Sequence, residues 1–407
     1  MDGINTGDTA WVLISTTLVL MMTPALAFFY GGMVRKKNVL STLNLSFILM
    51  ALISIQWILF GFTLAFGTSV GGLFGGLNFL GLSGVGSEPN ADYAATIPFL
   101  LFAAYQMMFA VITPALITGT FVERIRFKAF LIFSLLWATL VYDPVAHWVW
   151  GVGGILRNMG ALDFAGGTVV HITAGFSALA LASVIRARQG FSNGSMEPHN
   201  IPFSVLGAGL LWMGWFGFNG GSSLGANGLA VAALVNTNTA AAAAALVWML
   251  LSWRDSRPSV LGIITGAVVG LVAITPAAGF VTPLAAMAIG ALAAPISFYA
   301  IKLRQSRRLD ESLDVWACHG MGGVWGALAT GLFATKAVNP AGADGLFYGN
   351  PNQLLVQGLA VAVTVVFAMG VTWLLGVALK RTIGLSVSDT EEQIGLDIAE
   401  HGERAYA

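Results

Sequence analysis

The chain has 407 residues, of which 57% are hydrophobic and only 9% carry a charged side chain. Soluble domains are about a quarter charged, so this composition excludes an ordinary soluble enzyme, and its apolar content excludes a disordered chain. The 19 basic and 19 acidic residues cancel, which leaves no excess positive charge for nucleic acid. Cys318 has no second cysteine to pair with, and no Cys/His cluster has zinc spacing, so we expect no disulfide, metal or cofactor.

Apolar stretches long enough to cross a bilayer recur along the whole chain. A spanning helix needs about 20 mostly apolar residues, and the 50 glycines suit helices that pack closely in lipid. The sequence therefore predicts an all-α polytopic membrane protein with short loops and eleven transmembrane helices. The predicted spans lie near 10–30, 41–66, 95–121, 129–153, 166–186, 202–219, 228–252, 259–275, 283–301, 315–335 and 353–380.

Lysine and arginine residues fall on alternate loops between these spans. They follow the first, third, fifth, seventh, ninth and eleventh spans, so that 17 of the 19 lie on one side and only Arg157 and Lys336 on the other. Cytoplasmic loops carry the excess of basic residues. We therefore expect the N-terminus outside and the C-terminus inside the cytoplasmic membrane.

Similar features recur after an interval of five spans. The first span ends in residues 28–32 and the sixth in 217–221, both aromatic and glycine-rich, while the fifth span carries His171 and the tenth His319. Because five is odd, the second copy enters the membrane from the opposite side, which predicts an inverted-topology repeat with a site near the midplane. We divide the chain into a transmembrane domain, 1–381, with repeat halves near 10–190 and 202–337 and an extra helix at 353–381. A cytoplasmic tail follows at 382–407.

His171 and His319 each lie about five residues into a predicted span. Ionisable groups at this depth are costly, and they usually face a cavity or a partner. The repeat predicts that the two imidazoles meet, sharing one hydrogen bond as a mostly uncharged pair that suits a small polar solute or a proton relay. The alternative is two separate histidines, each bonded to a neighbouring helix.

Two further groups have local explanations. Asp163 stands at the entrance of the fifth span, where it can cap the helix or draw cations towards a vestibule. Asp143 and His147 are four residues apart in the fourth span, a spacing that favours a local hydrogen bond between them.

Aromatic residues cluster towards the outer ends of three spans. Their ring faces attract desolvated cations, and a nearby hydroxyl can accept a hydrogen bond from one. An aromatic cage, an apolar constriction and then uncharged histidines would suit a cation that loses its charge on entry. The residues concerned are Tyr105, Phe109, Trp150, Trp215, Phe218 and Ser222.

Together with their local sequence, these residues resemble the Amt/Mep/Rh ammonium transporter family over nearly the whole chain. The matching segments are FFYGGMVRKKN at 28–38, ERIRF at 123–127, DFAGGTVVH at 163–171, GWFGFNGGS at 214–222, TPA at 275–277 and GLDIAEHGE at 395–403. The pairing of Trp150 with Ser222 favours the bacterial and archaeal Amt branch. Asp143 stands where an apolar residue is common.

The resemblance implies a role for each site residue. Phe109, Trp150 and Ser222, with Tyr105 nearby, match the outer ammonium-binding site, and Phe109 and Phe218 match the phenylalanine gate. His171 and His319 match the twin histidines of the pore. Trp215 matches a pore-lining tryptophan and Thr275 a pore residue that lies near it. Asp163 matches the aspartate needed for conduction, to which the family assigns a structural or electrostatic role.

The resemblance also implies a homotrimer with one pore per subunit, transporting ammonium or ammonia rather than acting as an enzyme. A cytoplasmic PII-type signal protein is a possible partner, with the acidic tail as a gate or docking element; the alternative for the tail is a solvated end. Two other functions stay open: an ammonium sensor, recognisable by a reading frame that continues past Ala407, and a passive channel for ammonia or another small neutral solute.

Overall fold

The computed structural model describes residues 3–191 and 196–406. Helices make up almost all of it, and the two-residue strands β1 (Ser69–Val70) and β2 (Phe74–Gly75) form a small antiparallel hairpin. The long helices are α1 (Thr6–Gly31), α2 (Lys36–Phe66), α3 (Phe99–Phe121), α4 (127–150), α5 (Gly167–Val184), α6 (Ile201–Ser223), α7 (Gly228–Asp255), α8 (Val260–Ile274), α9 (Pro283–Ser306), α10 (316–333) and α11 (Pro351–Thr382). Short helices α12 (Asp389–Ile394) and α13 (Leu396–His401) lie in the tail.

Among the described residues, nine helices are long and apolar enough to cross a membrane. The two predicted spans outside this set correspond to α8, with 15 residues, and to α10, whose first turn contains His319 and three glycines nearby. At about 1.5 Å per residue, α8 extends over only about 22 Å. Buried non-helical residues 275–280 continue it, an arrangement tolerated at membrane depth only inside protein. The molecule is therefore a multi-pass membrane protein.

Small residues let the helices approach closely. A Cβ on Gly207 of α6 would collide with the backbone of α1 at Phe29, and one on Gly290 of α9 would collide with Ala240 of α7. In lipid, close van der Waals contact replaces the hydrophobic effect as the main attraction between helices. The glycine-rich composition is thus used at helix crossings.

Five of the long helices contain a π-helical turn, in which the hydrogen bonds widen by one residue. These turns are frequently found at functional sites. Three of them carry Phe218, His171 and His319. The other two lie at Trp57–Gly61 in α2 and Ala138–Tyr142 in α4.

The tail packs against the loops at the end of the bundle that carries most basic residues, which we call the basic end. Glu392 is completely buried there, where its carboxylate lies 2.6 Å from the Arg186 guanidinium and accepts from the Gln189 backbone N–H. The Asp397 carboxylate accepts from the backbone N–H of Ser41 at 2.8 Å. The tail is therefore bound to the bundle rather than solvated.

Candidate functional site

Three cavities follow one another through the bundle. The first, of about 300 Å³, is lined by Trp150 and Ser222 among others, and the middle one, of about 10 Å³, by His171. The last, of about 160 Å³, opens towards the basic end beside Asp314, and His319 lines both it and the middle cavity. The path is therefore wide at both ends and narrow at the histidines.

The first cavity brings together three predicted residues. The rings of Phe109 and Trp150 meet edge to face at 6.0 Å between centroids, and the Trp150 indole N–H donates to the Asp163 carbonyl at 2.9 Å. The Ser222 hydroxyl donates to the Phe218 carbonyl at 2.8 Å. Its lone pairs therefore remain able to accept from a ligand.

Tyr105 lies next to the first cavity, behind its wall. Its side chain is completely buried, with its hydroxyl 3.2 Å from that of Ser222 and 2.9 Å from the carbonyls of Gly217 and Phe218. It lies behind Ser222 and orients that hydroxyl. Burial beneath α6 thus makes Tyr105 a positioning residue.

The Asp163 carboxylate accepts four backbone hydrogen bonds. Its Oδ1 accepts from Gly166 and Gly167 at 2.9 and 2.7 Å, and its Oδ2 from Thr168 and Val169 at 2.8 and 3.1 Å. These N–H groups open α5, where no earlier carbonyl is available to them. Gly166 adopts a left-handed conformation, with φ of 115°, which brings the first of them round to the carboxylate. The geometry favours the helix-capping interpretation of Asp163.

Two phenylalanine rings separate the first cavity from the middle one. The centroids of Phe109 and Phe218 are 4.3 Å apart, with a tilt of 42° between the rings. Both side chains are buried. A solute that passes between the cavities must displace at least one ring.

The two histidines meet as the repeat predicted. Their Nδ1 atoms are 3.2 Å apart and their ring centroids 5.3 Å apart, so one Nδ1 carries the shared proton and the other accepts it. The contact depends on backbone proximity, because a Cβ on Gly175 of α5 would overlap the backbone of Gly320 in α10. The Nε2 of His171 is buried without a partner among the described residues and is available to a solute.

Trp215 lines the middle cavity, whereas Thr275 does not. The Trp215 ring stacks on His171 at 5.5 Å between centroids. Its indole N–H donates to the Thr275 hydroxyl at 2.9 Å, and that hydroxyl donates to the Leu271 carbonyl at 2.7 Å. Thr275 is completely buried and holds Trp215 from behind, next to the middle cavity.

Comparison with known proteins identifies the family to which this chain belongs. Residues 10–406 match the model of the Ammonium Transporter Family. The chain belongs to the ammonium transporter family. It is 51% identical to the ammonium transporter of Bacillus subtilis, with 98% of each chain covered, and 49% identical to Amt1 of Archaeoglobus fulgidus, with 98% and 99% covered.

Solved structures agree with this family. The crystal structure of Mep2 from Candida albicans has a TM-score of 0.90 at 35% identity, covering all of this chain and 91% of that one. A sensor Amt protein has a TM-score of 0.87 at 29% identity, covering 97% and 98%. This member of the ammonium transporter family therefore transports ammonium across a membrane.

Two polar groups of this transporter lie apart from the path. Asp143 and His147 do not form the local hydrogen bond that their spacing predicted; each bonds instead to residues of other elements. Asp143 accepts from the Gln56 amide at 2.7 Å, which ties α4 to α2, and the His147 ring bonds to the Ala65 carbonyl at 3.0 Å and the Ser69 hydroxyl at 2.9 Å.

The first cavity also contains two groups that the sequence analysis did not single out as site residues. Gln106 lines it, with a side-chain carbonyl that is buried and has no partner among the described residues. Arg157 lines it too, and its guanidinium donates to the Trp150 carbonyl. A polar residue inside an apolar span was the only sequence signal for Gln106, and Arg157 was noted only as one of two basic residues on its side.

Proposed function

We propose that ammonium enters at the first cavity, gives a proton to water there and passes the histidines as ammonia, while the proton follows separately through the histidine pair. The observation that carries the proposal is the fall in cavity volume from about 300 to about 10 Å³ between Trp150 and His171. A space of about 10–15 Å³ holds a single water. An ion would therefore have to leave its hydration shell before the middle cavity.

The first cavity supplies partial replacements for that shell. The faces of Phe109 and Trp150 attract a cation, at about 0.5–2 kcal/mol for each contact, and Ser222 accepts one hydrogen bond. These contacts are far smaller than the cost of moving a bare ion into an apolar site. Deprotonation before the Phe109–Phe218 gate is thus the less costly route.

Beyond the gate, His171 and His319 supply polar atoms for ammonia. Because their Nδ1 atoms share one proton, one Nε2 donates and the other accepts. Ammonia can both donate and accept, so it can bond to each in turn, beside Trp215. Asp163, Tyr105 and Thr275 hold these elements in position.

Two alternatives give different measurements. A passive channel for ammonia or another small neutral solute produces no ammonium-evoked current. An ammonium sensor produces no net flux. We test for a sensor because the fold is similar to that of a sensor Amt protein. The test is current and methylammonium uptake in proteoliposomes after an ammonium jump. We expect a current in the wild type, and loss of flux or of potassium exclusion in His171→Ala.

Cys318→Ala is the matched control for His171→Ala, because Cys318 adjoins His319, is buried and lines the last cavity. It removes a neighbouring side chain without touching the shared proton. Unchanged flux and unchanged potassium exclusion in His171→Ala would contradict the proposed path. Loss of flux in Cys318→Ala would show that packing, rather than the histidine pair, is being measured.

We further propose eleven spans in a 5+5 inverted repeat, with halves 10–190 and 202–337, an extra helix at 353–381 and a tail at 382–407. The π turns that carry His171 and His319 lie five helices apart, which supports the repeat. The basic bias predicts the N-terminus outside and the C-terminus inside the cytoplasmic membrane. In a Cys318→Ala background, cysteines placed at Ser87 and Ser256 should label from outside and inside, respectively; the reverse result would invert the topology.

The assembly is proposed to be a homotrimer in contact with lipid, without a catalytic role or cofactor. The bound tail, through the buried Glu392, is proposed to gate the path or to dock a PII-type protein. Truncation after Gly384 should change flux or its inhibition by a PII protein, and unaltered transport and regulation would reduce the tail to a structural element. Mass measurement in detergent tests the trimer.

A further inference from the structure

Arg157 places a permanent positive charge in the first cavity. Of the two basic residues outside the basic end, only Arg157 lines that cavity, and Lys336 lies elsewhere. An arginine side chain keeps its charge at any physiological pH. The cavity in which we propose that a cation is recruited therefore already holds one.

The guanidinium of Arg157 occupies an acceptor that a cation would use. It donates to the backbone carbonyl of Trp150, the last residue of α4, where the unpaired carbonyls concentrate partial negative charge. Ammonium donates the same kind of N–H bond to the same kind of oxygen. Arg157 is thus a tethered cation at the rim of the ammonium site.

Two carboxylates, Asp92 and Asp163, line the same cavity as Arg157 without pairing with it among the residues that the structure describes. The Asp163 carboxylate is already saturated by four backbone N–H groups. Asp92 lines the same cavity and is exposed, yet among the described residues Arg157 is in no salt bridge. The charge therefore acts on whatever cation enters the cavity, and Asp92 acts in the opposite sense.

We infer that Arg157 raises the half-saturating ammonium concentration of this transporter. It does so by repelling cations from the Trp150–Ser222 site and by occupying the Trp150 carbonyl. The inference rests on the proposed recruitment site. Arg157 lies outside the six segments that match the family. The charge of Arg157 repels ammonium and methylammonium but does not repel neutral ammonia.

The test compares charge with hydrogen bonding. Arg157→Gln removes the charge and keeps an amide that can donate to Trp150, and Arg157→Lys keeps the charge. The half-saturating ammonium concentration is measured from currents of the full-length protein in proteoliposomes, at about 10 mM and about 500 mM ionic strength. Lys336→Gln is the matched control, since it removes an equal charge that does not line the cavity.

At low ionic strength we expect Arg157→Gln to lower the half-saturating concentration about three- to tenfold. The shift should shrink below about twofold at high ionic strength, because the screening length falls from about 30 Å to a few ångströms. Arg157→Lys and Lys336→Gln should stay near the wild type. Asp92→Asn should raise the value, and Arg157→Gln with Asp92→Asn should fall between the two single variants.

Three results would overturn the inference: an unchanged value in Arg157→Gln, a shift of equal size at both ionic strengths, or a shift of the same size in Arg157→Lys. The recruitment site itself is tested separately by Ser222→Ala. If Ser222→Ala leaves the half-saturating concentration unchanged while Arg157→Gln lowers it, the proposed recruitment site at Ser222 fails, and the charge of Arg157 acts on cations elsewhere in the first cavity. The opposite pattern removes only the role of Arg157.

Discussion

Replacement of Asp163 by asparagine separates the two roles that the sequence left open for this carboxylate. As a cap, Asp163 satisfies four N–H groups at the start of α5, two on each oxygen. As an electrostatic group, it would act through its charge on a cation. Asparagine keeps one acceptor oxygen, loses the charge and turns an NH₂ group towards two donors.

The magnitude follows from the number of bonds lost. Asparagine leaves two backbone N–H groups without an acceptor, and hydrogen bonds to a charged group contribute about 1.5–3 kcal/mol each. Asp163→Asn should therefore destabilise the protein by about 3–6 kcal/mol, at the upper end of single-substitution effects. Because the Asp163 carbonyl holds the Trp150 indole, transport should fall together with stability.

The assay is thermal unfolding in detergent, monitored by size-exclusion chromatography, beside methylammonium uptake. Asp8→Asn is the matched control, because the Asp8 Oδ1 accepts from the Ala226 backbone at 2.8 Å and asparagine preserves that acceptor. It should unfold near the wild-type temperature. Unchanged unfolding with lost transport in Asp163→Asn would refute the capping argument and favour the electrostatic one.

Three further changes test other parts of the structure. Gly175→Ala should push α5 away from α10 at Gly320 and break the contact between the histidines. Flux should then fall more than tenfold, which corresponds to about 1.4 kcal/mol in the barrier. Gly358→Ala is the control, because a Cβ there meets open space, and equal flux in the two variants would contradict the packing argument. Burial and the charge of Asp314 raise the pKa of Glu311 to about 8. Folding then takes up a proton, so wild-type stability should fall as pH rises from about 5 to about 8. Glu311→Gln should unfold with less dependence on pH over that window, and parallel melting curves would contradict the raised pKa. Asp143→Leu removes the acceptor of a Gln56 amide N–H and should lower the free energy of unfolding by about 1–3 kcal/mol, whereas Asp143→Asn keeps an acceptor. Equal unfolding temperatures of the two variants would argue against a stabilising hydrogen bond between α2 and α4.

Local patterns were enough to predict most of the architecture. The predicted span at 228–252 corresponds to Gly228–Asp255 and that at 166–186 to Gly167–Val184, because a bilayer sets a minimum apolar length that a sequence window measures directly. His171 and His319 were identified from the same apolar windows, because an ionisable group within such a window is rare.

The facing of individual side chains was not predictable in this way. In a soluble protein the polar face of a helix indicates which residues are buried, but here lipid and protein interior are both apolar, so the periodicity disappears. The position of Tyr105 behind Ser222 and of Thr275 behind Trp215 depends on the rotation of each helix against its neighbours. The same holds for His147, whose partners come from α2 and β1.

The sequence by itself determined the membrane class, the positions of the long apolar helices and the two histidines, because each depends on composition or spacing along the chain, and its motifs carried the resemblance to the family. Only the tertiary structure decided which polar atoms meet. The contact of His171 with His319 requires the close approach of Gly175 and Gly320, and the charge of Arg157 acquires meaning only once the fold places it in the same cavity as Trp150. Both facts depend on distances between residues far apart in the chain, which helix packing sets and one-dimensional patterns do not contain.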